Sequence, residues 1–306
     1  MNRQELGLAL DWADREGWNP GLKDSDCFYA ADRDGFLIGC LGQEPVACIS
    51  SVAYGENYGF IGFYIVKPEL RGRGYGLCIW RAGMNRLTGR VVGLDGVTTQ
   101  QDNYQKTGFL LAHRNIRFGG TPQLAPVRDA KIIQIGFDRG QQILDYDRAF
   151  FPARRGSFLR CWLWPDQRKP LALVENGRIK GYGVIRACRR GFKIGPLFAD
   201  NEEGADLLFR GLVANANGEP VYLDCPEPNC SATDLATRYG LSPVFETARM
   251  YRGRFPDVSL SRTYGITTLN SVTRSQFDRL KAFYRVQPQS KHIAGGCGRA
   301  FVHPNQ

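Results

Sequence analysis

The chain has 306 residues, 43% of them hydrophobic and 23% charged, which is too long for one ordinary core and offers no apolar run that would span a bilayer. Its net charge of +10 is uneven: residues 1–120 carry 13 basic and 13 acidic side chains, residues 121–270 carry 21 and 16, and residues 271–306 carry 6 and 1. The basic run between Arg154 and Lys193 reads as a solvated face or a contact for an acidic ligand; no motif points to nucleic acid. The N-terminal "MNRQELGLALDWADREGW" is amphipathic and unlike a signal peptide, so a cytoplasmic protein is expected. Nine cysteines without a CxxC pair then read as buried thiols. Three histidines, none near a second ligand at metal spacing, give no zinc site and no histidine-based triad.

In chain order, a helix is predicted from Asn2, with Leu6, Leu10 and Ala13 on one stripe, ending before the Asn-Pro-Gly turn of "GWNPG". Asp24 and Asp26 fall in the loop after it. Three strands follow, 35–41, 45–54 and 58–66, spaced as an antiparallel meander. A helix is predicted over 74–87, with Leu77, Trp80, Met84 and Leu87 on its apolar face. Next come a buried strand at 90–96, a helical stretch to Lys106 and a strand or hairpin over 108–120. The Gly- and Pro-rich segment 119–131 marks a domain boundary. Beyond it the pattern recurs: a helix in "QQILDYDRAFF", three strand-like pieces over 171–198, and a helix that Asn201 can cap. A strand "PVYLDC", a helix "CSATDLATRYGL" and a strand "VFETARMYRG" complete it. The pieces "VVGLD…YQKTGF" and "VYLDC…ATRYGL" read as copies, so an internal duplication is expected. The fold class is α+β. Residues 1–120 and 121–270 form two domains, each a mixed, mostly antiparallel sheet flanked by helices, before a basic tail, 271–306, that contains the amphipathic piece "FDRLKAFYR".

Between the third strand and its helix, Arg71 to Gly76 reads Arg-Gly-Arg-Gly-Tyr-Gly. Consecutive amides in a tight bend, joined to a helix start, form an anion site. Glycines at 72, 74 and 76 let a ligand reach the backbone, and Arg71 and Arg73 can add charge. The spacing fits neither a Walker loop nor a dinucleotide fingerprint.

This loop resembles the R/Q-x-x-G-x-G/A pyrophosphate loop of the GNAT superfamily of acyl-CoA-dependent N-acyltransferases, and "YQKTGF" (104–109) resembles its second signature, Tyr-x-x-x-Gly-Phe. Residues 121–268 are similar to the degenerate second domain of tandem members. The resemblance implies an acetyl-CoA-dependent N-acetyltransferase acting by direct attack of a primary amine, with the first domain active. Tyr64, Ile65 and Val66 would hold the pantetheine arm, an amide of Ile65 or Val66 would polarise the thioester, and Arg71, Gly72, Arg73, Gly74, Tyr75 and Gly76 would clasp the pyrophosphate. Tyr104 matches the family's general acid. Many relatives carry a Glu on the strand "YGFIGFYIV", which here has none. Glu56 and Asp26 are the leading replacements as base, with Asp24 and Asp95 behind them. In the second half Ala236 stands where the acid would be and the glycine-arginine loop is missing, so no chemistry is expected there. The alternative is a non-catalytic acyl-CoA-binding or regulatory protein. The amine acceptor is not legible, and the oligomeric state, a homodimer included, is left open.

Overall fold

The computed structural model describes residues 1–124, 127, 129–163, 168–269, 271 and 272; the amphipathic piece 277–285 lies outside the described residues. Helix α1 (Arg3–Arg15) starts with a capping box: Asn2 Oδ1 accepts from the Glu5 amide at 2.9 Å and Glu5 Oε2 accepts from the Asn2 amide at 2.7 Å. The segment expected to be a loop after "WNPG" is instead helix α2 (Asp24–Ala31). No side chain caps it, and its N-terminus is held by tertiary contacts of Asp24, which is why local signals miss it.

Strands β1 (Phe36–Leu41), β2 (Glu44–Tyr54) and β3 (Tyr58–Val66) form the antiparallel meander. Helix α3 (Tyr75–Arg86), strand β4 (Val91–Val97), helix α4 (Gln101–Lys106) and strand β5 (Leu110–Gly120) complete the first half. The second half opens with β6 (Ile132–Gln134), α5 (Gly140–Asp147) and α6 (Gly156–Leu163). It continues with β7 (Arg168–Glu175), β8 (Arg178–Ala187), β9 (Phe192–Ala199), α7 (Glu202–Val213), β10 (Val221–Pro226), α8 (Cys230–Arg238) and β11 (Ser242–Arg252). Two short strands, β12 (Thr263–Gly265) and β13 (Ser271–Val272), follow. The run β1-β2-β3-α3-β4-α4-β5 thus recurs as β7-β8-β9-α7-β10-α8-β11, as the duplication requires.

The two runs do not fold side by side. They share one sheet, ordered β1-β2-β3-β13-β4-β11-β5-β10-β9-β8-β7-β6, with β12 beside β9. Strand β11 of the second half lies against β4 of the first, and β5 of the first lies against β10 of the second. The exchange is fixed by charge. The "Leu-Asp" aspartate of each copy faces an arginine from the strand that crossed over. Arg249 grips Asp95 at 2.7 and 2.9 Å, and Arg117 grips Asp224 at 2.6 and 3.0 Å. Both carboxylates are buried, so each needs its partner.

One apolar cluster packs α3 on the first half of the sheet, around Ile61, Trp80 and Tyr104, and a second packs α7 and α8 on the other half. A third joins α1, α2, α5 and α6 on the opposite face. There the reading of all cysteines as thiols is overturned: Cys27 of α2 and Cys161 of α6 are disulfide-bonded, with Cα atoms 5.1 Å apart. They are 134 residues apart in sequence, so only the packing of α2 on α6 could reveal the pair.

Candidate active site

Strands β3 and β4 are parallel neighbours from Tyr58–Ile61 against Val91–Leu94 and then part. An extra residue in β3, where Cys48 faces Ile65 but Ser50 faces Gly62, puts Phe63 at φ +45° and bends the strand away. Two main-chain edges therefore face each other across a V. Strand β13 stands in it, with Val272 parallel to Tyr64 on one side and to Gly96 on the other, and Ser271 opposite Asp95. Tyr64, Ile65 and Val66, the expected pantetheine strand, are buried along this V.

The glycine-arginine loop leads from the V to α3. Gly72 and Gly74 have φ of +77° and +91°, and a Cβ at either would meet nothing within 4 Å. Gly74 is the N-cap, no side chain caps α3, and no acidic residue lies in its first turn. Among the described residues, no acceptor takes the amides of Gly72, Arg73 or Gly74. This is open, donor-rich backbone at the positive end of a helix of 12 residues, which suits a pyrophosphate. Arg73 is exposed beside it, Tyr75 is half-buried and Gly76 is buried. Arg71 differs from expectation. It spends its guanidinium on Glu16 and, at 3.0 Å, on the Val66 carbonyl, so it braces the loop rather than reaching out from it.

Tyr104 of α4 is fully buried, its ring stacked 5.8 Å from Trp80. It lies on Gly96 of β4, where a Cβ would fall 2.4 Å from the ring, so only glycine fits beneath it. Burial, and then the neighbouring Tyr64, raise its pKa well above the usual tyrosine value, so the hydroxyl stays protonated and can only donate or accept a hydrogen bond.

Of the four acidic candidates, the structure brings only Asp95, on the β4 edge, to the V. Glu56 is exposed in the β2–β3 turn, and Asp26 faces solvent with Arg3 at 3.7 Å. Asp24 is buried and lies 3.2 Å from Arg168 and 3.1 Å from Arg186. Burial alone would raise its pKa, but the charges of Arg186 and Arg168 hold it below the ordinary carboxylate value. Asp95 is bound by Arg249 and by Asn115 Nδ2 at 2.8 Å. Neither is available as a base.

A cavity missed by sequence reasoning lies under this part of the sheet, between the halves. Its walls include Phe28, Phe36 and Phe60 of the first half and Phe150, Phe151 and Phe158 of the second. Ser50, His113, Arg155 and Arg249 also line it. Arg155 is paired with Asp147 at 2.6 and 2.8 Å, as Arg249 is with Asp95. Burial, followed by the charge of Arg249, lowers the His113 pKa to about 3, so this imidazole is neutral throughout the physiological range.

Residues 6–110 match the acetyltransferase (GNAT) family and residues 143–265 an acetyltransferase (GNAT) domain. A holothin acyltransferase from Pseudoalteromonas sp. (strain SANK 73390) is 30% identical over 267 residues, 87% of this chain and 91% of that protein. The chain belongs to the GNAT acyltransferases. A Pyrococcus horikoshii structure assigned to the acetyltransferases superposes on this GNAT enzyme with a TM-score of 0.73 at 22% identity, over 88% of this chain and 93% of the other. A tandem GNAT protein from the clavulanic acid biosynthesis pathway superposes with a TM-score of 0.57 at 13% identity, over 83% and 97%. At these identities the likeness is one of fold, and it includes the tandem arrangement. Among the described residues of this acyltransferase no helix is long and apolar enough to cross a membrane.

Proposed function

We propose that this acyltransferase takes acetyl-CoA as its donor in the first half, residues 1–120, and passes the acetyl group by direct attack to an amine seated in the cavity between the halves. One observation carries the reading: unpartnered amides of Gly72, Arg73 and Gly74 stand at an uncapped helix start beside a parted strand pair. These amides would hold the diphosphate, with Arg73 adding charge and Arg71 fixing the loop's shape. The thioester group, when bound, supplies the activated acyl carbon. The Lys67 amide donates to Val46 across β2, so by strand alternation the Val66 amide turns the other way, into the V. We therefore assign Val66 rather than Ile65 as the donor that stabilises the developing oxyanion, an interaction of about 3–4 kcal/mol.

The amine nitrogen attacks the carbonyl carbon, the C–N bond forms and the C–S bond breaks. Tyr104 supports the leaving thiolate as a hydrogen-bond donor. A tyrosine of pKa ~10 is a poor match for full transfer to a thiolate of conjugate pKa ~8.5, a deficit of ~2 kcal/mol, and burial of Tyr104 widens it. The reading assigns no chemistry to Glu56 or Asp26. It also requires β13 to leave the V when donor binds, since both would use the same edge of β3.

The test is calorimetric titration with acetyl-CoA, then thiol release with a panel of amines. Micromolar binding and turnover on at least one amine are expected. Binding without turnover on any amine would favour the acyl-CoA-binding alternative, and no binding would end the reading. Tyr104→Phe is expected to lower kcat at least tenfold while acetyl-CoA affinity changes less than threefold; equal kinetics would return Tyr104 to a packing role.

A further inference from the structure

The cavity's lining carries more information than the acceptor's position. Two of its polar groups have no partner: Ser50 Oγ and His113 Nε2, on residues 1% and 8% exposed. Buried polar atoms of this kind are normally paired, so each awaits a ligand atom. Aromatic rings make up much of the rest of the wall, with Phe198, Tyr54 and Tyr251 joining the six phenylalanines already named, beside aliphatic side chains and three threonines.

Charge narrows the ligand further. Among the described residues that line the cavity there is no carboxylate. Asp95 and Asp147 stand behind Arg249 and Arg155 and are consumed by them. An ammonium ion would shed its water here against two guanidinium groups, with nothing of opposite charge to meet it. Aromatic faces can hold a cation, and three of them already hold the cavity's own arginines: Arg155 lies 4.5 Å from the Phe151 ring centre and 5.5 Å from that of Phe158, and Arg249 lies 5.2 Å from that of Phe60.

Resting on the proposed transfer reaction, we propose that the acceptor is a neutral, ring-bearing amine, an arylamine or heteroarylamine, whose polar substituents are read by Ser50 Oγ and His113 Nε2. The lone pair of such an amine is delocalised into its ring, so it is uncharged at pH 7. No base is needed to unmask the nucleophile, which accounts for the missing carboxylate on β3. The nitrogen's lone pair forms the amide bond, the sulfur leaves with the C–S electrons, and the proton shed by the nitrogen passes through water to the thiolate.

Acetyl transfer to aniline, 3-aminophenol and benzylamine tests this. Aniline and benzylamine share a ring but differ in whether the nitrogen is charged at pH 7. Aniline should be preferred at least tenfold in kcat/KM at pH 7, with a flat profile from pH 6.5 to 9, and its lead should shrink as benzylamine deprotonates. The hydroxyl of 3-aminophenol should lower KM below that of aniline. That advantage should vanish in Ser50→Ala and, as an independent variant, in His113→Ala. Preference for benzylamine at pH 7, or turnover of benzylamine alone, overturns the inference and leaves the donor reading intact. Failure of acetyl-CoA to bind overturns both.

Discussion

Helix α3 begins at Gly74, an N-cap with no side chain to close it. Helix α7, its copy, begins at Asn201, whose Oδ1 accepts from the Gly204 amide at 2.9 Å, and it carries Glu202 and Glu203 in the first turn. The V beyond each helix is entered by a later segment, β13 in the first half. In the second half β12 pairs with β9, Ile266 donates to the Asp224 carbonyl at 2.9 Å, and a Cβ on Gly195 would fall 2.4 Å from the Thr267 carbonyl. Buried Tyr264 packs in the apolar cluster there. One copy has its helix start capped by its own asparagine with two glutamates beside it; in the other, the amides of Gly72, Arg73 and Gly74 meet no acceptor among the described residues. A frame can be duplicated whole while the groups at the first turn of one helix diverge between the copies.

The largest effect expected from breaking this contrast is at Gly74. Gly74→Asp places a side chain on a left-handed residue and a carboxylate against phosphates, and should weaken acetyl-CoA binding at least 100-fold by calorimetry. The equivalent region of α7 gives the control: Asn201→Ala should leave acetyl-CoA affinity unchanged and cost about 1 kcal/mol of stability from the lost cap, read by urea denaturation.

Much of this contrast is legible in the sequence. The glycine-arginine loop, the Asn201 cap and the order of strands and helices are local, and local rules find them. The cavity between the halves is not local. Phe60 and His113 reach it from the first half, and Phe151 and Arg155 from the second, and they meet only because β5 and β11 changed places. Helix α2 hid because its start is stabilised by arginines more than 140 residues away. Helix α6, "GSFLRCWL", was missed because eight residues are too short a run for its helical spacing to be told from that of a buried strand. The pairing of the Arg71 side chain was not legible because its partner, Glu16, lies 55 residues back.

The exchange offers a second break. Arg249→Leu and Arg117→Leu should each destabilise by about 3–5 kcal/mol in urea denaturation, because each strands a buried aspartate; near-equal losses would fit the pseudo-symmetry. A chain ending at Leu269 should bind acetyl-CoA a few-fold more tightly, since β13 no longer competes for the edge of β3. A looser complex would show that β13 is part of the donor site.

The smallest effect concerns Lys193 of β9, which is buried with its amine 2.9 Å from the Trp18 carbonyl. Burial, then the charge of Arg117, lowers its pKa to about 7, below that of the unfolded chain. Between the two values the unfolded state binds the extra proton, so the penalty of a buried ammonium is full below pH 7 and fades above it. The Tm of the native protein should therefore rise relative to that of Lys193→Met between pH 6 and pH 9; a parallel pair of curves would refute the shift.

The traded strands have a consequence for the molecule's history as well as its stability. Each copy completes its neighbour's half of the sheet, so a nick in the segment joining them should yield two fragments that stay clasped and unfold together. A mutation that silences one copy's chemistry is tolerable, whereas deletion of that copy would expose raw strand edges in the survivor. Redundancy has become mutual dependence, and either copy is free to forget its reaction but not its shape.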